Sequence, residues 1–340
     1  MAGGVMDKIR VGILGCGYIG AYHARAVLAS EHAQLVAVVD ENVEKRSDFV
    51  TKFQVPRWFS SFEDLLESKS VDAVVIALPN RFHGPYTLKA LAQGVHVLVE
   101  KPMAFTAIEA AAMVEAADCN KLVLQVGHMW RFDPEVRYVA DLISSGRLGK
   151  VFKTKGYGIH TNWGPAGWFT KKALAGGGSL VDMGIHAVDT TRFLLGDPLP
   201  VRVYAEVGTY VKYFDVDDTA TVLITWDNGV HSLIESGWWQ PHMDGPEAGG
   251  GVYGTQGYAS LFPTRSSFFQ NGTEQIEDPA FPPRIDHCGQ AMYSLQMEEF
   301  LRAILEHGTP RPSAADGLVA MKILDAAYES ARTGQAVQIR

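Results

Sequence analysis

Gly12–His23 reads GILGCGYIGAYH, and the fold turns on how its glycines are spaced. Gly15, Gly17 and Gly20 form G-x-G-x-x-G between the apolar run IRVGIL and a stretch of helical periodicity that begins at Tyr18. In that setting the first glycine permits a tight turn, the second lets backbone approach a pyrophosphate, and the third lets helix and strand pack closely. The helix N-terminus, at Tyr18 and Ile19, offers amides to phosphate.

Outward from this turn, short apolar runs (LVAVVD, AVVIAL, VHVLVE, LVLQV) alternate with helix-like stretches as far as Val126. That is the alternation of βαβ units around a buried parallel sheet. LVAVVD ends in Asp40, twenty residues beyond Gly20. A carboxylate there accepts the ribose hydroxyls of NAD and repels the 2′-phosphate of NADP, and Glu41 and Asn42 follow it rather than an arginine. In an open parallel sheet, ligands lie beyond the carboxyl ends of the strands. Pro79, Asn80 and His83 after one strand, and Glu100 and Lys101 after the next, are therefore expected at the cofactor.

After QVGHMWRFDP the pattern changes to a helix over Pro134–Ser144 and then to long, partly alternating strands joined by short turns. The expectation is two domains: a dinucleotide-binding Rossmann domain over 7–128, and an α+β domain with a large, mostly antiparallel open sheet over 129–340. Helices over Met292–Glu306 and Ala314–Arg332 and a short strand near AVQI are expected to complete the second. Val203, Val222, Ile224 and Leu233 are expected on its uncovered face, where a second copy of the chain would bind.

The chain has 340 residues, 47% of them hydrophobic, and a net charge of −8 with no basic stripe. Such a chain has material for two cores and a poor surface for nucleic acid or anionic membranes, so a small molecule is the expected partner. Cys16, Cys119 and Cys288 lack CxxC spacing, which argues for reduced thiols and against a zinc site. With no signal-like or 18-residue apolar run, a cytoplasmic protein is expected. The sequon NGT at Asn271 carries no meaning without secretion.

One motif remains: GGGSLVDMGIHAVD, Gly176–Asp189. Its apolar spacing suits a helix, and Asp182 and His186, four apart, lie on one face of it. On this stretch alone, a buried histidine satisfied by Asp182 or Asp189 competes with an acid/base group. A dinucleotide domain that still lacks a proton partner favours the second.

Taken in order, G-x-G-x-x-G with Asp40, P-N-x-x-H, E-K-P, G-G-G-x-L-x-D-x-G-x-H-x-x-D and AADGLVAMKILDAAYESARTG make a chain that resembles the glucose-fructose oxidoreductase and inositol dehydrogenase family over nearly its whole length. The resemblance implies an NAD-dependent oxidoreductase acting on a secondary hydroxyl of a sugar or cyclic polyol, with Lys101, Asp182 and His186 as its catalytic triad. It also implies Arg131, His160, Asn162 and Trp163 as substrate contacts, beside Lys101, Asp182 and His186. Trp168, Trp238 and Trp239 are further candidates to stack on a sugar ring. Three rival readings stand beside it: an NADPH-dependent reductase of a ketose or dicarbonyl, an NAD-dependent glycosidase, and a non-catalytic sensor of sugar and NAD.

Overall fold

The computed structural model describes residues 8–241, 246–270, 272–282 and 289–339, apart from the Gln270 side chain. Cys288, Asn271 and part of the loop after Trp239 lie outside them. The described residues of 1–129 and 288–317 form one compact unit, and those of 130–287 and 318–340 form another.

The first unit is built on six parallel strands: β1 (Ile9–Leu14), β2 (Ala33–Val39), β3 (Arg57–Phe59), β4 (Ala73–Ile76), β5 (His96–Val99) and β6 (Leu124–Val126). They lie in the order β3-β2-β1-β4-β5-β6, so the chain reverses its direction of winding between β1 and β4. Val11, Ile13, Leu14, Ala73–Ile76 and Val97–Val99 are fully buried, the continuous apolar run of a sheet covered on both faces. Helices open where side chains satisfy their first amides: Asn42, Ser61 and Thr106 each accept from the residue three further on. β3 and the helix Phe62–Glu67 went unread in the sequence; at three and six residues they are too short for periodicity to show.

The helix Gln290–Leu305, expected to complete the second domain, belongs instead with the first unit. There Tyr293 stacks on Tyr22 at 4.9 Å, and Arg25 Nε donates to Gln290 Oε1 at 2.6 Å.

The second unit carries β7 (Val151–Thr161), β8 (Pro200–Gly208), β9 (Thr219–Trp226), β10 (His231–Gln240), β11 (Ala248–Gly254), β12 (Gly257–Leu261), β13 (Arg265–Gln270), β14 (Thr273–Glu277) and β15 (Val337–Gln338). They form one sheet in the order β14-β13-β12-β11-β7-β10-β9-β8-β15, antiparallel except where β10 meets β7. One face packs under the helix Ile185–Leu194. A Cβ on Gly156 would lie 2.8 Å from Thr191 Oγ1, and one on Gly158 3.0 Å from the Cβ of Met183 just before the helix, so glycines let β7 approach both the helix and the segment that leads into it.

The register corrects the expected outer face. Val203, Val222 and Ile224 are buried on the helix side, whereas Leu223, half exposed, and Leu233 lie on the open side. A period of two makes a one-residue misreading an exchange of faces, and an apolar residue alone does not say which face it serves. Among the described residues no helix is long and apolar enough to cross a membrane.

Candidate active site

In the first unit the three motif glycines do different work. Gly15 has φ +100° and a Cβ on it would sit 2.2 Å from the Ala77 carbonyl oxygen, while one on Gly20 would sit 2.0 Å from that of Gly15. The fold itself demands both. Gly17 is exposed, and a Cβ there would meet nothing within 4 Å. It opens the helix Tyr18–Ala29 without a side-chain cap, so amides of the first turn face a space that a side chain would narrow. That space, with donors aimed into it, fits the pyrophosphate of a dinucleotide.

Asp40 is pinned beside this turn. Its Oδ2 accepts the Cys16 amide and its Oδ1 the Asn42 amide, both at 2.8 Å, which leaves lone pairs on both oxygens for ribose hydroxyls. Burial, and then the Asp40 charge, push the Cys16 thiol up to about 12, so it is no thiolate. Arg46 was missed in the sequence because it stands six residues on: its guanidinium donates to the Asp40 carbonyl at 2.5 Å and lies 4.6 Å over the Trp58 ring.

Two residues expected at the cofactor are committed inside the protein. His83 is buried with both ring nitrogens 2.7 Å from carbonyl oxygens, those of Pro102 and Leu78, and so braces the segment after β5 against the segment after β4. Burial holds its imidazole below the ordinary value, against the pull of the two carbonyls. Glu100 is buried against Gly127 and takes a 2.7 Å hydrogen bond from His23 and the Lys101 amide at 3.2 Å. Burial pushes its carboxyl up, but the His23 hydrogen bond and the charges of His23, Lys101 and His83 outweigh that and hold it below the usual value. His23 itself was not singled out in the sequence. Pro79 and Asn80 lie at the end of β4, and Lys101 directly follows Glu100.

In the second unit the triple glycine meets the protein. A Cβ on Gly177 would lie 2.0 Å from Tyr328 Oη, and one on Gly178 1.7 Å from the Asp217 carbonyl oxygen. The Asp217 carboxylate accepts the amides of Gly178 and Leu180 at 2.7 and 2.9 Å and the Tyr328 hydroxyl at 2.8 Å, capping the helical start from 37 residues away in sequence. Leu180–Gly184 then winds as a π-helical turn, in which the Ile185 amide reaches the Leu180 carbonyl, before regular α-helix begins at Ile185. Such turns recur at functional sites.

Asp182 and His186 leave this turn towards different neighbours. Asp182 Oδ2 accepts Trp238 Nε1–H at 3.1 Å and lies 4.0 Å from His160 Nε2, and the His186 ring stacks on Trp130 at 4.8 Å. His160 in turn stacks on Trp163 at 3.7 Å, so His160, Trp163 and Asp182 form one cluster. Asn162 supplies the turn between them with φ +59°, a conformation asparagine tolerates. Trp238 is wholly buried and serves Asp182 rather than a sugar face.

Arg131 departs furthest from expectation. It is 3% exposed; Nε and Nη2 grip Asp189 at 2.7 to 3.1 Å, and Nη1 and Nη2 reach Asp197 at 3.3 and 2.9 Å. This buried ion network holds the start of the unit to the helix Ile185–Leu194, and the arginine is structural. Its partners stand 58 and 66 residues away, beyond any local pattern.

Residues 9–128 match the model of the GFO/IDH/MocA oxidoreductases, described as an NAD-binding Rossmann fold, and residues 136–260 match the model of the GFO/IDH/MocA C-terminal domain. D-xylose 1-dehydrogenase (NADP(+)) 2 of Haloferax volcanii is 30% identical over 332 residues, covering 96% of this chain and 99% of that one. The scyllo-inositol 2-dehydrogenase (NAD(+)) of Bacillus subtilis is 27% identical, covering 98% and 96%. Among solved structures, GenD2 from gentamicin A biosynthesis in complex with NAD superposes with a TM-score of 0.86 at 26% identity, covering 100% and 99%.

Proposed function

The chain belongs to the GFO/IDH/MocA family of NAD-binding oxidoreductases, and on that premise we propose that it oxidises a secondary hydroxyl of a sugar or cyclic polyol to a ketone with NAD. The observation that carries this reading is the cluster at the π-helical turn: Asp182 beside the stacked His160 and Trp163, an arrangement with acceptors for hydroxyls and an aromatic face for ring C–H groups.

Bound NAD supplies the acceptor for the carbinol hydrogen and its electron pair. His186 takes the hydroxyl proton, since imidazole is the side chain whose proton affinity matches neutral pH. The Lys101 ammonium is assigned, from the family resemblance, to the negative charge that develops in the reaction. Asp182 accepts from the substrate. Gly15, Gly17 and Gly20 with the amides of Tyr18 and Ile19 hold the pyrophosphate, and Asp40 holds the adenosine ribose. The reading includes a cytosolic homo-oligomer joined through the open sheet face around Leu223 and Leu233.

The test is a panel of polyols and monosaccharides with NAD, followed by formation of NADH. In His186→Ala and Lys101→Ala, kcat should fall by about 10²–10⁴-fold, with the NADH dissociation constant within a few-fold of wild type. A His186→Ala enzyme with near-normal kcat at every pH removes the acid/base assignment. Sedimentation of a 37.1 kDa particle at micromolar concentration removes the oligomer.

A further inference from the structure

Glu247 lies outside every motif, yet three donors converge on its carboxylate. His160 Nδ1 lies 3.2 Å from Oε2, and the Thr161 amide donates to Oε1 at 3.1 Å together with the Trp163 indole N–H. Its backbone takes part as well, since the Ile159 amide donates to the Glu247 carbonyl at 2.7 Å. The segment 160–163 is also held from β10, where the Asn162 amide donates to the Gln240 carbonyl and Trp239 donates to that of Trp163. This end of β7 is therefore fixed from two sides, and on one of them the holding group is the Glu247 carboxylate.

We infer that Glu247 is a positioning residue that sets the protonation of His160 and aligns the His160–Trp163 pair as a reader of a neutral, vicinal diol; this rests on the polyol reading above. A carboxylate facing Nδ1 requires that nitrogen to carry the proton, which makes Nε2 the acceptor. Nε2 lies 4.0 Å from Asp182 Oδ2. Two acceptors at that separation suit two adjacent ring hydroxyls, each with a proton to give, while the half-exposed Trp163 offers its face to the C–H groups between them. Asp182, from the π-helical turn, and Glu247, from the segment before β11, both face His160, and both are anionic. A phosphate or carboxylate on the sugar is repelled from this wall, so unmodified polyols are the substrate class.

The effect of Glu247 on His160 is readable without turnover, because an imidazolium quenches the fluorescence of an indole stacked on it. The pH titration of tryptophan emission should show a transition in wild type that is absent in His160→Gln and in Trp163→Phe. In Glu247→Gln its midpoint should move down by about one pH unit, since an imidazolium that loses an adjacent carboxylate gives up its proton more readily. On the best substrate of the panel, Glu247→Gln should raise KM about tenfold with kcat within about threefold and NADH affinity unchanged. D-glucose 6-phosphate should be turned over far more slowly than D-glucose. An unmoved fluorescence midpoint overturns the inference, and so does an unchanged KM. If no polyol yields NADH, the functional reading fails, and the fluorescence titration alone then decides the coupling of Glu247 to His160.

Discussion

Two glycine clusters open two helical segments in this chain, and they are built for opposite ends. At Gly15–Gly20 the first turn of the helix Tyr18–Ala29 has no side-chain cap and Gly17 borders open space. At Gly176–Gly178 the same kind of start is closed by the protein, with Asp217 on two amides and Tyr328 against Gly177. Glycine in a sequence thus records a close approach without recording what approaches. In the first cluster the approach at Gly17 is left to a ligand, and in the second it is consumed by the fold.

Substitution separates the two cases most sharply where backbone is the neighbour. Gly178→Ala drives a methyl into the Asp217 carbonyl, and Gly15→Ala combines a clash at Ala77 with a positive φ. Each should cost about 3 kcal/mol or more, seen as loss of folded protein or a large fall in Tm. Gly17→Ala is the contrasting case: Tm should stay close to wild type while the NADH dissociation constant rises about tenfold, equivalent to about 1.4 kcal/mol. A Gly17→Ala protein that unfolds would show that the open space there belongs to the fold after all.

Between these lies Asp217→Asn, which keeps the shape but sets an NH2 group, which cannot accept, against the amide of Gly178 or of Leu180. A loss of about 1.5–3 kcal/mol in urea unfolding is expected, with NADH affinity retained. The smallest effect is expected at Asp40→Ala, where the preference for NAD over NADP should narrow by about tenfold or less as the carboxylate that accepts ribose hydroxyls is removed. Equal kcat/KM for both cofactors in wild type would overturn the assignment of Asp40 to the ribose hydroxyls.

What could be read from the sequence follows the same division. The glycine turn, Asp40 and the buried strands around them are local patterns, in which spacing along the chain is spacing in space. That Asp182 and His186 share one helical segment was legible for that reason, although the π-helical winding beneath them and the different neighbours they face were not. Glu247 and His160, 87 residues apart, and Arg131 and Asp189, 58 apart, meet only through the sheet and helix that carry them. An arginine followed by an aromatic and an aspartate looks alike whether it waits for a substrate or is already paired, and only burial tells the two apart. The outer face of the second sheet failed for a related reason: Val222 and Leu223 differ in exposure but not in hydrophobicity.

The turn at Leu180–Gly184 joins two anchors that are set independently. Upstream, the amides of Gly178 and Leu180 are fixed on Asp217; downstream, the helix Ile185–Leu194 is seated on Gly156 of β7. A π-helical turn holds one residue more than an α-helical turn, so it acts as a vernier between anchors that are out of phase by one position. A chain shortened by a single residue here would keep both anchors only by giving up the insertion, and the side chain leaving the turn before His186 would then swing by about 100°.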